Sequence, residues 1–131
     1  MSETDPEFLQ LEDVLALVRR MFGDPLPIRD MGLLGSAVER PQTTVFGEDA
    51  YPDIWTKAAA LCHSVANNHA LVDGNERLAW VATATFLEIN DIDVSAASND
   101  DVYDFVISVV VDHQEIAEIA EQLRAIISGT A

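Results

Sequence analysis

The chain reads as an all-α domain, a compact bundle of about six helices around one central buried helix. Three observations predict it. Apolar residues recur at three- and four-residue spacing through most of the length, in runs bounded by capping residues. The segment from Asn75 to about Asn90 is apolar around nearly its whole circumference, as expected of a helix without a solvent face. The composition is globular, 49 % hydrophobic with only six glycines and five prolines, and 131 residues suffice for one domain, residues 1–131, with a real core.

The elements follow in order. Asp5, Pro6 and Glu7 read as an N-cap, a first-turn proline and a first-turn acid. Phe8, Leu11, Leu15, Val18 and Phe22 then keep helical spacing until Gly23 stops the run. "DPLPIRD" is a proline-punctuated connection, and a short helix is expected from Met31 to Glu39. Arg40–Pro52 has two prolines, a glycine and no helical period, so it reads as an exposed loop or extended flap. Pro52 opens a third helix with Trp55, Ala58, Leu61, Cys62 and Val65 on one face, and a polar cluster separates it from the helix that begins near Asn75. Ser98 with Asp101 resembles a capping box. Val102, Phe105, Val106 and Val109 continue at helical spacing, although the "VISVVV" run favours strand by propensity. Asp112 and Glu115 read as a further cap, and Ile116, Ile119, Ala120, Leu123 and Ile127 form a last amphipathic helix ended by Gly129.

Charge and cysteine usage bound the function. A net charge of −16 disfavours direct binding to nucleic acid or to an anionic membrane, and favours basic partners. No apolar run approaches the roughly 20 residues that span a bilayer, and "MSETDPEF" has no secretory character. The single cysteine, Cys62, lies in an apolar helical pattern and reads as a small buried hydrophobe of a cytoplasmic protein.

The chemistry concentrates in "HALVDGNER", His69 to Arg77, set between two strongly apolar segments. Gly74 permits a tight turn, and Asn75 begins a helix whose first N–H groups lack partners and whose dipole favours an anion. Arg77 stands in the first helical turn, where that dipole disfavours a cation unless an anion lies between them. Asp73 is suited to a divalent cation of the kind that accompanies nucleotide phosphates. His69 is an imidazole of the kind that serves as general base near neutral pH. Singly, each has a structural explanation: helix C-terminus, turn dipeptide, N-cap, surface cation. Together they amount to a phosphate-transfer site.

"HALVDGNER" resembles the loop of the Fic/Doc family, His-Pro-Phe-x-(Asp/Glu)-Gly-Asn-(Gly/Lys)-Arg. "IRDMGLLGSAVERPQ" and "FGEDAYPDIWTKAAALCHSVANNH" are similar to Doc-type members, and the likeness runs from Ile28 to Val94. The resemblance implies an all-α domain that uses ATP and Mg²⁺ to modify a hydroxyl of a target protein. For Doc-type members this is a kinase reaction on elongation factor Tu that halts translation; for Fic members it is transfer of AMP. It assigns His69 as the base, Asp73 as the Mg²⁺ ligand, and Gly74 and Asn75 as the anion hole. Arg77 would hold a nucleotide phosphate. Arg40, Pro41, Gln42, Thr43, Thr44, Val45 and Phe46 would belong to a flap that docks an extended segment of the target. It also implies an antitoxin whose C-terminal segment folds into a groove on binding. The self-inhibitory (Ser/Thr)-x-x-x-Glu-(Gly/Asn) motif of some Fic proteins is absent from the sequence; "TVFGED" comes near it but ends in Asp49.

Departures from the pattern fall at Ala70, Leu71, Trp80 and Glu76. Leu71 keeps an apolar anchor for the loop. Glu76 replaces the Gly of AMP-transferring members and the Lys of Doc. As a first-turn acid it favours the helix by about 0.3–1 kcal/mol. Beside a phosphate it repels by roughly 1 kcal/mol per unit charge at 4 Å in water. Its bulk fills the space that Gly leaves for AMP transfer, which favours the kinase. A catalytically weakened binding module is the third possibility.

Overall fold

A computed structural model describes residues 5–130, so the first four residues of the acidic N-terminal stretch and Ala131 lie outside the described part. The expected all-α architecture is present. Among the described residues there are six α-helices: α1 (Leu11–Phe22), α2 (Met31–Glu39), α3 (Ile54–Asn68), α4 (Asn75–Ile89), α5 (Asn99–Val111) and α6 (Ile116–Ser128). Between α2 and α3 lie a 3₁₀ turn, Arg40–Gln42, and an antiparallel hairpin of β1 (Thr44–Val45) and β2 (Glu48–Asp49).

Two helices share the centre. α4 packs on α3, and α3 also meets α2, α5 and α6. Ala58, Ala59, Ala60, Leu61, Cys62, Val65 and Ala66 are all buried, so α3 hides far more than the single face expected of it. Small side chains explain this, because alanine lets neighbouring helices approach from several directions. α4 is less enclosed than its composition suggests: Leu78, Ala79, Ala82, Phe86 and Leu87 are buried, but Ile89 is exposed and Trp80 and Val81 are only partly covered. Leu34, Leu61, Leu71, Leu78, Phe86, Ile119 and Leu123 form the fully buried centre. The "VISVVV" segment is helical, because Phe105, Val106 and Val109 face the core and tertiary burial overrides strand propensity.

The helix ends show which local signals held. Asp30 caps α2 by accepting from Leu33 N–H (3.0 Å), and Asp53 caps α3 by accepting from Thr56 N–H (2.8 Å). α3 therefore starts after Pro52, not at it. Ser98 caps α5, accepting from Asp101 N–H (3.1 Å), without the reciprocal bond that the expected capping box would add. Glu115 caps α6, whereas Asp112 closes α5. The expected cap at Asp5 is not formed, and α1 begins only at Leu11, after Gln10. The cause is tertiary: the Asn90 side chain accepts from Glu7 N–H and donates to Glu7 C=O (both 2.9 Å), and Phe8 stacks on Phe86 with centroids 6.0 Å apart. These contacts hold the arm extended.

Candidate active site

The loop between α3 and α4 is shaped by backbone pairing with the proline-rich connection. Val72 N–H donates to Pro27 C=O (2.9 Å), Ile28 and Leu71 form an antiparallel bridge, and Arg29 and Asp30 N–H both donate to Ala70 C=O (2.8 and 3.0 Å). Leu71, the apolar anchor, is buried as expected, and so is Ala70. The Arg29 guanidinium donates to the His69 carbonyl through Nε (3.1 Å) and through Nη2. His69 is thus fixed by its backbone in a left-handed conformation (φ 55°, ψ 42°) at the end of α3, with its side chain exposed. Histidine is among the residues that tolerate this region, and such conformations collect at functional sites.

Asn75 is buried, and its side chain closes the loop from inside: Oδ1 accepts from Leu71 N–H (3.0 Å) and Nδ2 donates to Leu71 C=O (3.1 Å). With the amide so engaged, what Asn75 offers an anion is its backbone N–H. Gly74 has φ 87°, and a Cβ there would lie 2.6 Å from Cζ of Phe22. Glycine is required twice over, by conformation and by space. No side chain caps α4, and among the described residues the N–H groups of Asn75, Glu76 and Arg77 have no protein acceptor. Three aligned donors at a positive helix end are therefore available to an anion.

Arg77 lies over the Phe22 ring, Cζ 5.1 Å from its centroid. Among the described residues it has no carboxylate within 4.0 Å. Phe22, Pro25, Pro27, Asp73, Gly74, Glu76 and Arg77 line a cleft of about 420 Å³. Glu76 is exposed and also borders a second, more apolar cleft of about 570 Å³ floored by Trp80, Val81 and Val106. It stands on the ridge between the two. Asp73 is exposed and its Oδ1 accepts from Gly74 N–H (2.9 Å). Among the described residues no group of three metal-ligating side chains converges. One carboxylate fits Mg²⁺ held mainly by phosphate oxygens and water, and does not fit an all-protein cage.

The flap residues divide. Arg40, Pro41 and Gln42 are not extended but continue α2 as the 3₁₀ turn, with Pro41 buried. Thr44 and Val45 form β1, and Phe46 stands fully exposed at the hairpin tip with φ 53°. Arg40 anchors the base: Nε donates to Tyr51 Oη (2.9 Å), and Nη1 reaches Ser64 Oγ (2.9 Å) and His63 Nδ1 (2.8 Å). Burial first and the Arg40 charge second hold the His63 pKa below its ordinary value. The ring is then neutral and accepts at Nδ1. Three residues that the sequence reading gave no site role prove important here: Arg29, which holds His69; Phe22, which seats Gly74 and Arg77; and Lys57, whose ammonium reaches the hairpin. A lysine inside the alanine-rich α3 run was the visible signal for the last, and the Doc-like stretch from Ile28 for Arg29; Phe22 had none.

Comparison with known proteins shows the family. The model of the Fic/DOC family matches residues 8–87. A protein from Mycolicibacterium smegmatis named Toxin Doc is 58 % identical over 90 residues, which cover 69 % of this chain and 69 % of that protein. The family-model match takes in α1, whose last residue seats the glycine turn, and the whole loop from His69 to Arg77. The chain belongs to the Fic/DOC family.

Proposed function

We propose that this protein is a Doc-type toxin of a toxin–antitoxin pair, a kinase that moves the γ-phosphoryl group of ATP to a hydroxyl of elongation factor Tu in the cytoplasm. The observation that carries the reading is the uncapped start of α4, where three N–H groups without a protein acceptor adjoin the cleft that Gly74 and Arg77 line. Phosphate oxygens would accept from those N–H groups and from the Arg77 guanidinium. Asp73 would hold Mg²⁺, which supplies charge neutralisation between the phosphates. His69 accepts the proton of the target hydroxyl as its oxygen bonds to phosphorus; the bond from phosphorus to the bridging oxygen breaks and ADP leaves. Glu76, on the ridge beside the cleft, takes up space that AMP transfer would need, which favours phosphate transfer. Restraint would come from an antitoxin segment that folds on binding.

The test is an incubation with Mg-ATP and elongation factor Tu, followed by the intact mass of the target. A gain of one phosphate, lost in His69→Ala, is the expected result. A gain of one AMP moves the chain to the adenylyl-transfer reaction. No gain, in the native chain or in Glu76→Lys, leaves a binding module. If Glu76 only weakens nucleotide binding, Glu76→Lys raises the rate, because a cation replaces an acid beside the phosphates.

A further inference from the structure

The hairpin is held from below by a buried charge. Lys57 is 4 % exposed, and its Nζ donates to Asp49 Oδ2 (3.1 Å) and to the Tyr51 carbonyl. A lysine rarely buries its ammonium, because desolvation is costly and an apolar side chain of similar volume packs there with less penalty. Here both acceptors belong to the hairpin and its exit, and neither to the helical bundle. Tyr51 is gripped at two ends, at its carbonyl by Lys57 and at its hydroxyl by Arg40, whose guanidinium also lies 5.6 Å from the ring centroid.

The hairpin needs such a hold. Its strands are two residues each, and Thr44 through Asp49 are all exposed. A two-stranded hairpin of this size is not stable alone, and this one packs no side chain into the core. Its position is set at its ends, by Ala50 N–H donating to Thr43 C=O (2.8 Å), by Arg40 and by Lys57. At the tip, Phe46 and Gly47 both have positive φ (53° and 82°), as a tight two-residue turn demands. Phe46 is 101 % exposed, so the fold gains nothing from an aromatic ring held in an unfavourable conformation. The ring is displayed outward.

We propose that Lys57 is a positioning residue for the protein target: with Arg40 it locks the exit of the hairpin, so that Thr44–Phe46 is preset for docking before the target arrives. This rests on reading the Arg40–Pro52 loop as the docking flap. Rigidity of this kind acts on affinity for the target and not on the chemical step.

The test is Lys57→Met, which keeps the volume and removes the grip. If the released hairpin spends about a tenth of its time in the docking position, apparent affinity falls about tenfold. The KM for elongation factor Tu should rise by that factor, with the KM for ATP and the kcat at saturating target within about twofold of the native protein. Hydrogen exchange at Ala50 N–H should quicken by a similar factor, while α4 amides keep their protection. An unchanged target KM, or a fall in kcat without a change in target KM, overturns the proposal, as does unchanged exchange at Ala50. If Lys57→Met fails to fold, Asp49→Ala removes one of the two grips at a side chain 60 % exposed. A smaller shift of both readouts in the same direction upholds the proposal, and none overturns it. If the native chain transfers nothing to elongation factor Tu, the proposed function fails, and the exchange rates decide the clamp alone.

Discussion

Replacing Gly74 by alanine tests the site geometry most directly. The added methyl would lie 2.6 and 2.8 Å from two Phe22 ring carbons, and the backbone there has φ 87°. The left-handed conformation costs an L-residue about 1–2 kcal/mol. Forcing a methyl into occupied space adds about 1–3 kcal/mol. Phe22 ends α1, so its ring can give way, but only by abandoning the Arg77 guanidinium above it, a contact of about 0.5–1 kcal/mol at an exposed site. A loss of about 2–5 kcal/mol is expected, which for a domain of this size lowers the thermal midpoint by about 10 °C or more. The assay is thermal unfolding followed by circular dichroism, with and without Mg-ATP, beside Gly32→Ala as control. Gly32 lies inside α2 without a positive φ, and its nearest neighbour would be Asp30 Oδ1 at 3.4 Å, so alanine there should leave the midpoint level or raise it. A Gly74→Ala midpoint within about 2 °C of the native protein would refute the claim that the turn requires glycine.

Other consequences can be checked in the same protein. Asn75→Asp keeps the shape but sets a buried carboxylate oxygen against the Leu71 carbonyl; stability should fall by about 2–3 kcal/mol in urea unfolding, and a loss under about 0.5 kcal/mol would contradict the loop-closing role. His63 has its folded pKa below the unfolded value of about 6.5. Its contribution is therefore complete above that pH and is lost as pH falls through the folded pKa, since the unfolded chain takes up the proton first. Between about pH 7 and 5 the native protein should lose more thermal stability than His63→Asn, and parallel curves would be evidence against it. Cys62 is wholly buried and its pKa is pushed up to about 12, so a thiol reagent at pH 8 should label it only at the rate of unfolding. Rapid labelling of the folded protein would show that the α3–α4 interface opens.

Local sequence carried the helices well wherever the deciding interaction spans a few residues. α2 matches its expected limits because Asp30, its apolar run and the following Arg40-Pro41 act within the segment. The arm at Asp5–Gln10 failed because its partners, Asn90 and Phe86, lie far along the chain, and a cap-like tripeptide is not enough against two hydrogen bonds with the Asn90 side chain and a stacked ring. The flap was legible as non-helical, but the 3₁₀ turn at Arg40–Gln42 was not, since it is held by the same arginine that reaches across to His63 and Ser64.

For the site, the sequence alone determined which residues lie together along the chain: His69, Asp73, Gly74 and Arg77 stand in one nine-residue stretch, and a glycine before a helix start leaves the first N–H groups of the helix without intrahelical partners. Only the tertiary structure decided how they are aimed. Arg29 fixes the backbone of His69, Phe22 fills the space a Cβ at Gly74 would need and supports Arg77, and Asn75 turns its side chain inward. Lys57 reaches back to Asp49 of the hairpin and to the Tyr51 carbonyl at its exit. The physical reason is one of range. Caps, turns and helix dipoles act over one or two turns of chain, whereas seating a loop requires volume and hydrogen-bond partners that only segments brought together by folding supply.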